Sequence, residues 1–118
     1  MLWFNKFMKE AKVRNYHYDF VAFHWYRGVK VDAFRKALEE LAAAHQRPVW
    51  LTEFNSAYVK SEAEKHELFL KGALKFLEES PVIGRYAYFN PKPDNKAALL
   101  DGKGKLTKLG EIYQGVGS

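Results

Sequence analysis

Apolar residues recur along this chain with two alternating periods. Trp3, Phe4, Phe7, Met8 and Ala11 share one helical face. Asn15 to Tyr18 interrupt that pattern. Residues 19–26 then read Asp-Phe-Val-Ala-Phe-His-Trp-Tyr, a strand predicted to be apolar on both faces, as a buried parallel strand is. Gly28 ends it. A second helix is predicted over 31–45, with Phe34, Leu38, Leu41 and His45 at helical spacing and Asp32 in the first turn. Pro48 cannot continue it and opens a second strand through Phe54. A polar loop, 55–60, follows.

Ser61-Glu62-Ala63-Glu64 has the form of a capping box for a third helix. That helix turns Phe69, Ala73, Phe76 and Leu77 inward and stops at Ser80-Pro81. Residues 82–89 form a third strand. The loop 90–95 carries two prolines, and Asp101-Gly102-Lys103-Gly104 is a tight turn. Thr107 caps a last short helix through Tyr113, and a frayed tail is expected from Gly115 onward. The order α-β-α-β-α-β-α implies parallel strands joined by right-handed crossovers. A complete α/β unit starts with a strand, whereas this chain starts with a helix. Its three strands leave two open sheet edges. The fold class expected is α/β: the last portion of a (β/α)₈ TIM barrel, residues 1–118 forming a single domain.

Composition narrows the function. The chain has 118 residues, 47% hydrophobic and 28% charged, as ordinary globular proteins do. Aromatics reach 16%, an excess that suits either a core or a stacking surface. The net charge of +5 comes from 19 basic against 14 acidic residues, but the lysines and arginines are scattered. A nucleic-acid footprint would cluster them, so no nucleic-acid partner is expected. With no cysteine, thiolate metal sites and cysteine nucleophiles are excluded. No apolar run is long enough to span a membrane. The first residues lack the form of a signal peptide, so a secreted parent would carry that signal elsewhere and localisation stays open.

The second strand supplies the candidate chemistry. Pro-Val-Trp-Leu-Thr-Glu-Phe, residues 48–54, is an apolar run that ends on a glutamate. A carboxylate at the tip of a buried strand is costly unless it is paired or used. In barrel enzymes that end of the strand is the catalytic rim. Alternation places Phe20, Ala22, His24 and Tyr26 on one face, and Val49, Leu51 and Glu53 on one face. His24, Tyr26, Glu53, Tyr88 and Asn90 would then meet at one rim, with Trp25, Trp50 and Tyr86 facing either the pore or the helices. The structural alternative is a buried Glu53 satisfied by a neighbouring histidine or Arg85. His17, His45 and His66 have no ligand spacing with His24, so neither a metal nor any other cofactor is expected. No glycine-rich phosphate loop and no Gly-x-Ser-x-Gly elbow occurs.

Five segments carry a resemblance: 19–26, 48–54, Arg85-Tyr86-Ala87-Tyr88-Phe89, Ala98-Leu99-Leu100-Asp101, and 106–113. In order and spacing they resemble the closing segments of the glycosyl hydrolase catalytic-core family. These are (β/α)₈ barrels that include endo-β-1,3-glucanases of glycoside hydrolase family 128. The resemblance implies that the strands are the sixth, seventh and eighth of the barrel and that Glu53 is the nucleophile of a retaining mechanism. His24 and Tyr26 would hold that carboxylate; Trp50 and the third-strand aromatics would support the site or stack on sugar. Tyr88 stands where family members often carry Trp. The family's acid/base glutamate lies in an Asn-Glu-Pro-type segment after the fourth strand, and no Asn-Glu dipeptide occurs here.

Retaining hydrolysis needs two carboxyls about 5–5.5 Å apart. Of the nearby acids Glu62, Glu64 and Asp94, the capping box accounts for Glu64 and the turn for Asp94. The expectation is therefore a β-glucan hydrolase fragment, weakly active or inactive alone, whose partners are a poly- or oligosaccharide and the missing barrel half. The alternative is a non-catalytic carbohydrate-binding module that self-associates through its open edges into a homodimer. A truncated or engineered folding fragment is a third reading.

Overall fold

In a computed structural model, residues 2–116 are described; Met1 and the Gly117-Ser118 end of the expected tail lie outside the described residues. The elements are α1 (Leu2–Val13), β1 (Val21–Trp25), α2 (Val31–His45), β2 (Val49–Phe54), α3 (Ala63–Glu79), β3 (Ile83–Tyr88) and α4 (Lys108–Gln114). The three strands pair in parallel in the order β1-β2-β3. This is the expected α/β segment of a barrel, with helices over one face of the sheet.

The core lies between that face and the helices. Val21 and Trp25 of β1 and Val49, Leu51 and Phe54 of β2 face Phe34 and Leu38 of α2 and Phe69, Leu70, Ala73 and Leu74 of α3. Phe34 is fully buried, and the rings of Trp25, Phe54, Phe69 and Phe76 meet it at centroid distances of 5.4, 5.8, 5.5 and 6.2 Å. Asn15 and Gln46, at φ 54° and 50°, turn the chain after α1 and α2 in the left-handed region. Asp101 accepts from the Lys103 and Lys105 amides, which closes the expected turn. The Thr107 side chain accepts from the Gly110 amide and caps α4.

Four expectations are corrected. First, β1 is not buried on both faces: Val21 and Trp25 are buried, whereas Ala22 and His24 are exposed. Among the described residues no second layer covers their side of the sheet, the side that would line the pore of a closed barrel.

Second, Glu53 does not share a face with Val49 and Leu51. Phe23 pairs with Leu51 but His24 pairs with Glu53, so Thr52 is an extra residue in β2. This bulge turns Glu53 to the face of Trp50, whose partner is Ala22.

Third, the capping box does not form. The cap residue is Glu62, without a side-chain cap bond. The Ser61 amide donates to Val59 O and the Val59 amide to Ser56 O; these tight turns carry Ser61 out of the cap position.

Fourth, the apolar face of α1 is only partly used. Ala11 is buried and Phe4 packs edge-on against His45 at 5.4 Å, but Trp3 and Phe7 are exposed, with no other element among the described residues packed over them. The projecting helix and open sheet raise the radius of gyration to 15.7 Å, against roughly 13.5 Å for a compact domain of this length.

Candidate active site at the strand ends

The bulge and the parallel register bring β1 and β2 side chains together on the open face. The Tyr26 hydroxyl donates to Oε2 of Glu53. Nδ1 of His24 lies 3.5 Å from the same oxygen. Glu53 is partly sheltered, its side chain 34% exposed. Tyr26 and His24 are thus the polar partners of one carboxylate oxygen, and the other oxygen is not engaged by them. Burial, then the hydrogen bond and charge of Glu53, push the Tyr26 phenol up to about 12. The phenol therefore remains a proton donor at neutral and mildly alkaline pH.

Trp50 shares this open face, lying nearer the start of the strands. Its ring stacks on Phe20 at 3.7 Å and 8°, and the Arg85 guanidinium lies 5.5 Å above it. A Cβ at Gly84 would come within 2.8 Å of the Trp50 indole nitrogen, so glycine there gives the indole its place. Phe20 and Arg85 occupy the ring that sequence reasoning offered to sugar.

Tyr88 is placed elsewhere. It pairs with Phe54 on the helix-facing side, its ring 5.1 Å from Phe54 and 5.7 Å from Tyr113. Its hydroxyl donates to Ala97 O at 2.6 Å, and burial raises its pKa. Tyr88 thereby holds the loop after β3. Asn90 accepts from the Leu99 amide at 2.8 Å and lines a cleft of about 620 Å³ with Tyr26, Tyr58, Phe89 and Lys92. The structure brings Glu53, His24 and Tyr26 together, sets Trp50 beneath them and Asn90 beside them, and turns Tyr88 away.

Sequence reasoning missed a buried polar joint just past Glu53. Asn55 and Ser56, expected in a polar loop, are each 2% exposed. Asn55 Nδ2 donates to Phe89 O at 2.8 Å while its Oδ1 accepts from the Ala57 amide at 3.0 Å. The second bond is an Asx turn, and asparagine straight after an apolar strand was the available signal. Ser56 Oγ lies 2.7 Å from His66 Nδ1. His66 is 1% exposed, and its burial, then the Lys96 charge, lower its pKa. Buried this deeply, the Ser56–His66 pair is closed to substrate and braces the loop. Among the described residues no group of three or more His, Asp or Glu could hold a metal ion.

The chain is similar in sequence and fold to known proteins. A curated relative, alkali-sensitive linkage protein 1 of Schizosaccharomyces pombe, is 31% identical over 122 residues, covering 94% of this chain and 22% of its own length. An endo-β-1,3-glucanase of glycoside hydrolase family 128, subgroup II, from Sorangium cellulosum superposes with a TM-score of 0.68 at 30% identity. It covers 82% of this chain and 41% of its own. A mutant subgroup I endo-β-1,3-glucanase from Amycolatopsis mediterranei, crystallised with laminaritriose and laminaribiose, gives a TM-score of 0.83 at 25% identity. It covers 98% of this chain and 52% of its own. The chain therefore spans about half or less of the length of these proteins. The model of the glycosyl hydrolase catalytic core matches residues 1–113, and the chain belongs to that family.

Proposed function

We propose that this chain is the C-terminal portion, in one domain, of a retaining β-glucan hydrolase acting on β-1,3 linkages, with Glu53 as its nucleophile. The observation that carries this reading is the carboxylate at the tip of β2 with one oxygen held by Tyr26 and approached by His24. In the first step the free oxygen attacks the anomeric carbon, forming a glycosyl ester as the glycosidic C–O bond breaks. A second carboxyl, about 5–5.5 Å away, protonates the leaving oxygen and then draws a proton from the water that cleaves the ester. Of the acids weighed from the sequence, Glu62 and Glu64 stand at the start of α3 and Asp94 lines the neighbouring cleft. The second carboxyl belongs to the missing half of the barrel.

The open surfaces support that reading. Among the described residues β1 and β3 each have one unpaired edge. An apolar cleft of about 380 Å³ between α1 and β1 is walled by Phe4, Phe7, Met8 and Phe20.

The test is reducing-sugar release from laminarin. The purified chain is expected to give weak turnover or none, and full turnover by it alone, abolished in Glu53→Gln, would overturn the fragment reading. In the complete parent protein Glu53→Ala should lose about 10⁴-fold in kcat, as catalytic carboxylates and their counterparts do, with partial rescue by azide as a small external nucleophile. The second reading, a sugar-binding module without chemistry, is favoured by the single carboxylate. It predicts that oligosaccharide binding survives Glu53→Ala with no hydrolysis.

A further inference from the structure

The opposite end of the sheet carries another concave surface. A cleft of about 560 Å³ opens between the ends of α1 and α2, among the segments that lead into β1 and β2. It stands at the start of these strands, whereas Tyr26 and Glu53 stand at their tips. Lys9 and Lys12 line it from α1, and Arg47 lines it from the turn after α2. No aspartate or glutamate lines it. None of the three cations has an ion-pair partner among the described residues. The acids of the adjoining segments are engaged outside the cleft: Glu10 with Arg14 at 3.3 Å and Asp19 with His17 at 2.8 Å.

Two features go beyond a solvated basic face. Asn15 and Gln46, the two non-glycine residues with positive φ among the described residues, both line this cleft. Past a helix end glycine is the unstrained choice in that conformation, so a glutamine is held there at a conformational cost. Strain of this kind gathers at ligand sites. The Arg47 guanidinium is also fixed. Its Nε donates to Tyr18 O at 3.0 Å, its Nη1 donates to Gln46 O at 2.9 Å, and its carbon lies 5.3 Å from the centre of the Tyr18 ring. Nη2 takes part in neither bond, and its place is set before any ligand arrives. Cations near helix C-termini also offset the helix dipole. That accounts for Lys12, in the last turn of α1, and for Arg47, just past α2. It accounts neither for Lys9, a turn earlier, nor for the two amide side chains.

We propose that this cleft binds a diphosphate group, either free or as an ester. Its cations stand on two walls, so an anion with two linked phosphoryl groups is met from both sides at once. Guanidinium and ammonium groups are the ordinary partners of phosphoryl oxygens, and Arg47 offers the planar fork that suits them. The amides of Asn15 and Gln46 add uncharged donors along the same lining. The volume lies within the roughly 300–1,000 Å³ of small-ligand sites. The site is independent of Glu53 and of the glucan reading.

The test is calorimetric titration of the 118-residue chain with pyrophosphate, sulfate and adenosine diphosphate, at fixed ionic strength and without divalent metal. Pyrophosphate should bind more tightly than sulfate by roughly tenfold, as one further charge-assisted contact provides. Tighter binding of adenosine diphosphate than of pyrophosphate would identify an ester as the ligand, and the reverse order the free anion; both support the site. Lys9→Ala with Lys12→Ala should weaken pyrophosphate binding by about tenfold. Circular dichroism should not change, because both side chains are exposed on α1 and alanine favours a helix. Lys71→Ala with Lys75→Ala, on α3, removes the same charge away from the cleft and should leave binding unchanged. Gln46→Gly relieves the positive φ and should weaken binding while keeping the urea midpoint at or above the wild-type value. Pyrophosphate bound no more tightly than sulfate, or an equal loss in the two lysine-pair variants, would overturn the site. So would wild-type binding in both Gln46→Gly and the Lys9 and Lys12 variant.

Discussion

The hydroxyl of Tyr26 and the side chain of His24 converge on the same oxygen of Glu53, from the tip of β1 to the tip of β2. A carboxylate held by one oxygen is oriented, and its other oxygen is not engaged by these two groups. A hydrogen bond to a charged group contributes about 1.5–3 kcal/mol. Tyr26→Phe in the complete parent protein should therefore lower kcat/KM for laminarin by roughly 10- to 100-fold, mostly in kcat. A fall confined to KM would show that Tyr26 serves binding alone.

Alkaline titration separates the tyrosines. Burial and the Glu53 bond raise Tyr26 to about 12, and burial and Glu78 raise Tyr86 to about 12. Their folded values lie above the unfolded value near 10, so the protonated form is the one the fold favours. That contribution is fully present below pH 10 and is lost as pH rises through about 12. Absorbance at the phenolate band should show a late-ionising group, and Tyr26→Phe should remove one member of it. A single step at the ordinary tyrosine pKa, with the chain still folded, would contradict this environment.

His66 sets the acid side. Burial lowers its pKa, so below the ordinary value near 6.5 the unfolded chain takes up a proton that the folded chain resists. Stability contributed by neutral His66 is present above that value and falls as pH drops below it. Urea midpoints measured from pH 7.5 to 5 should decline. His66→Gln should flatten that decline while lowering the midpoint at pH 7.5, because Ser56 loses its 2.7 Å partner. An equal decline in the variant would place the acid sensitivity elsewhere.

Asn55 is the joint between the strand that carries Glu53 and the one that carries Phe89. Asn55→Ala leaves Phe89 O and the Ala57 amide without that partner, at about 1–3 kcal/mol for each buried group left unsatisfied. Asn55→Asp keeps an acceptor for Ala57 but removes the donor and places a charge where only 2% of the residue is exposed. Asp should therefore destabilise more than Ala in urea unfolding. Hydrogen exchange at the Ala57 amide should accelerate in Ala and not in Asp. The opposite order of stabilities would mean that water, and not Phe89 O, satisfies this site.

Local features were legible in the sequence. The 31–45 helix follows from apolar spacing and Pro48, and its observed limits are the same. Thr107 and Asp101 act within a few residues of themselves, as cap and turn, and both do what their type requires. Non-local features were not legible. The face of Glu53 depends on one extra residue in the pairing with β1, and alternation within β2 does not contain it. Asn55 is buried because a carbonyl 34 residues later accepts its proton. Ser61 has a capping residue's chemistry, but turns closed by Ser56 and Val59 decide where α3 begins. Tyr88 is on the expected strand, yet the register with Phe54 sends its ring to the helix side.

The open surfaces make a last prediction. Leu2, Trp3, Phe7 and Val13 are 81, 73, 58 and 73% exposed on α1, beside the free edge of β1. Free strand edges and exposed apolar side chains both favour association. In a complete barrel the preceding strands and helices would cover them. Alone, the chain should associate with itself, and sedimentation velocity should show a mass that rises with concentration. Trp3→Lys with Phe7→Lys should shift that equilibrium toward monomer without loss of helicity, because neither side chain is buried. Supplying the preceding half of the barrel in trans should replace self-association by a one-to-one complex. A monomer at every concentration, indifferent to that half, would mean that these edges are closed in solution by a rearrangement of α1 over the sheet.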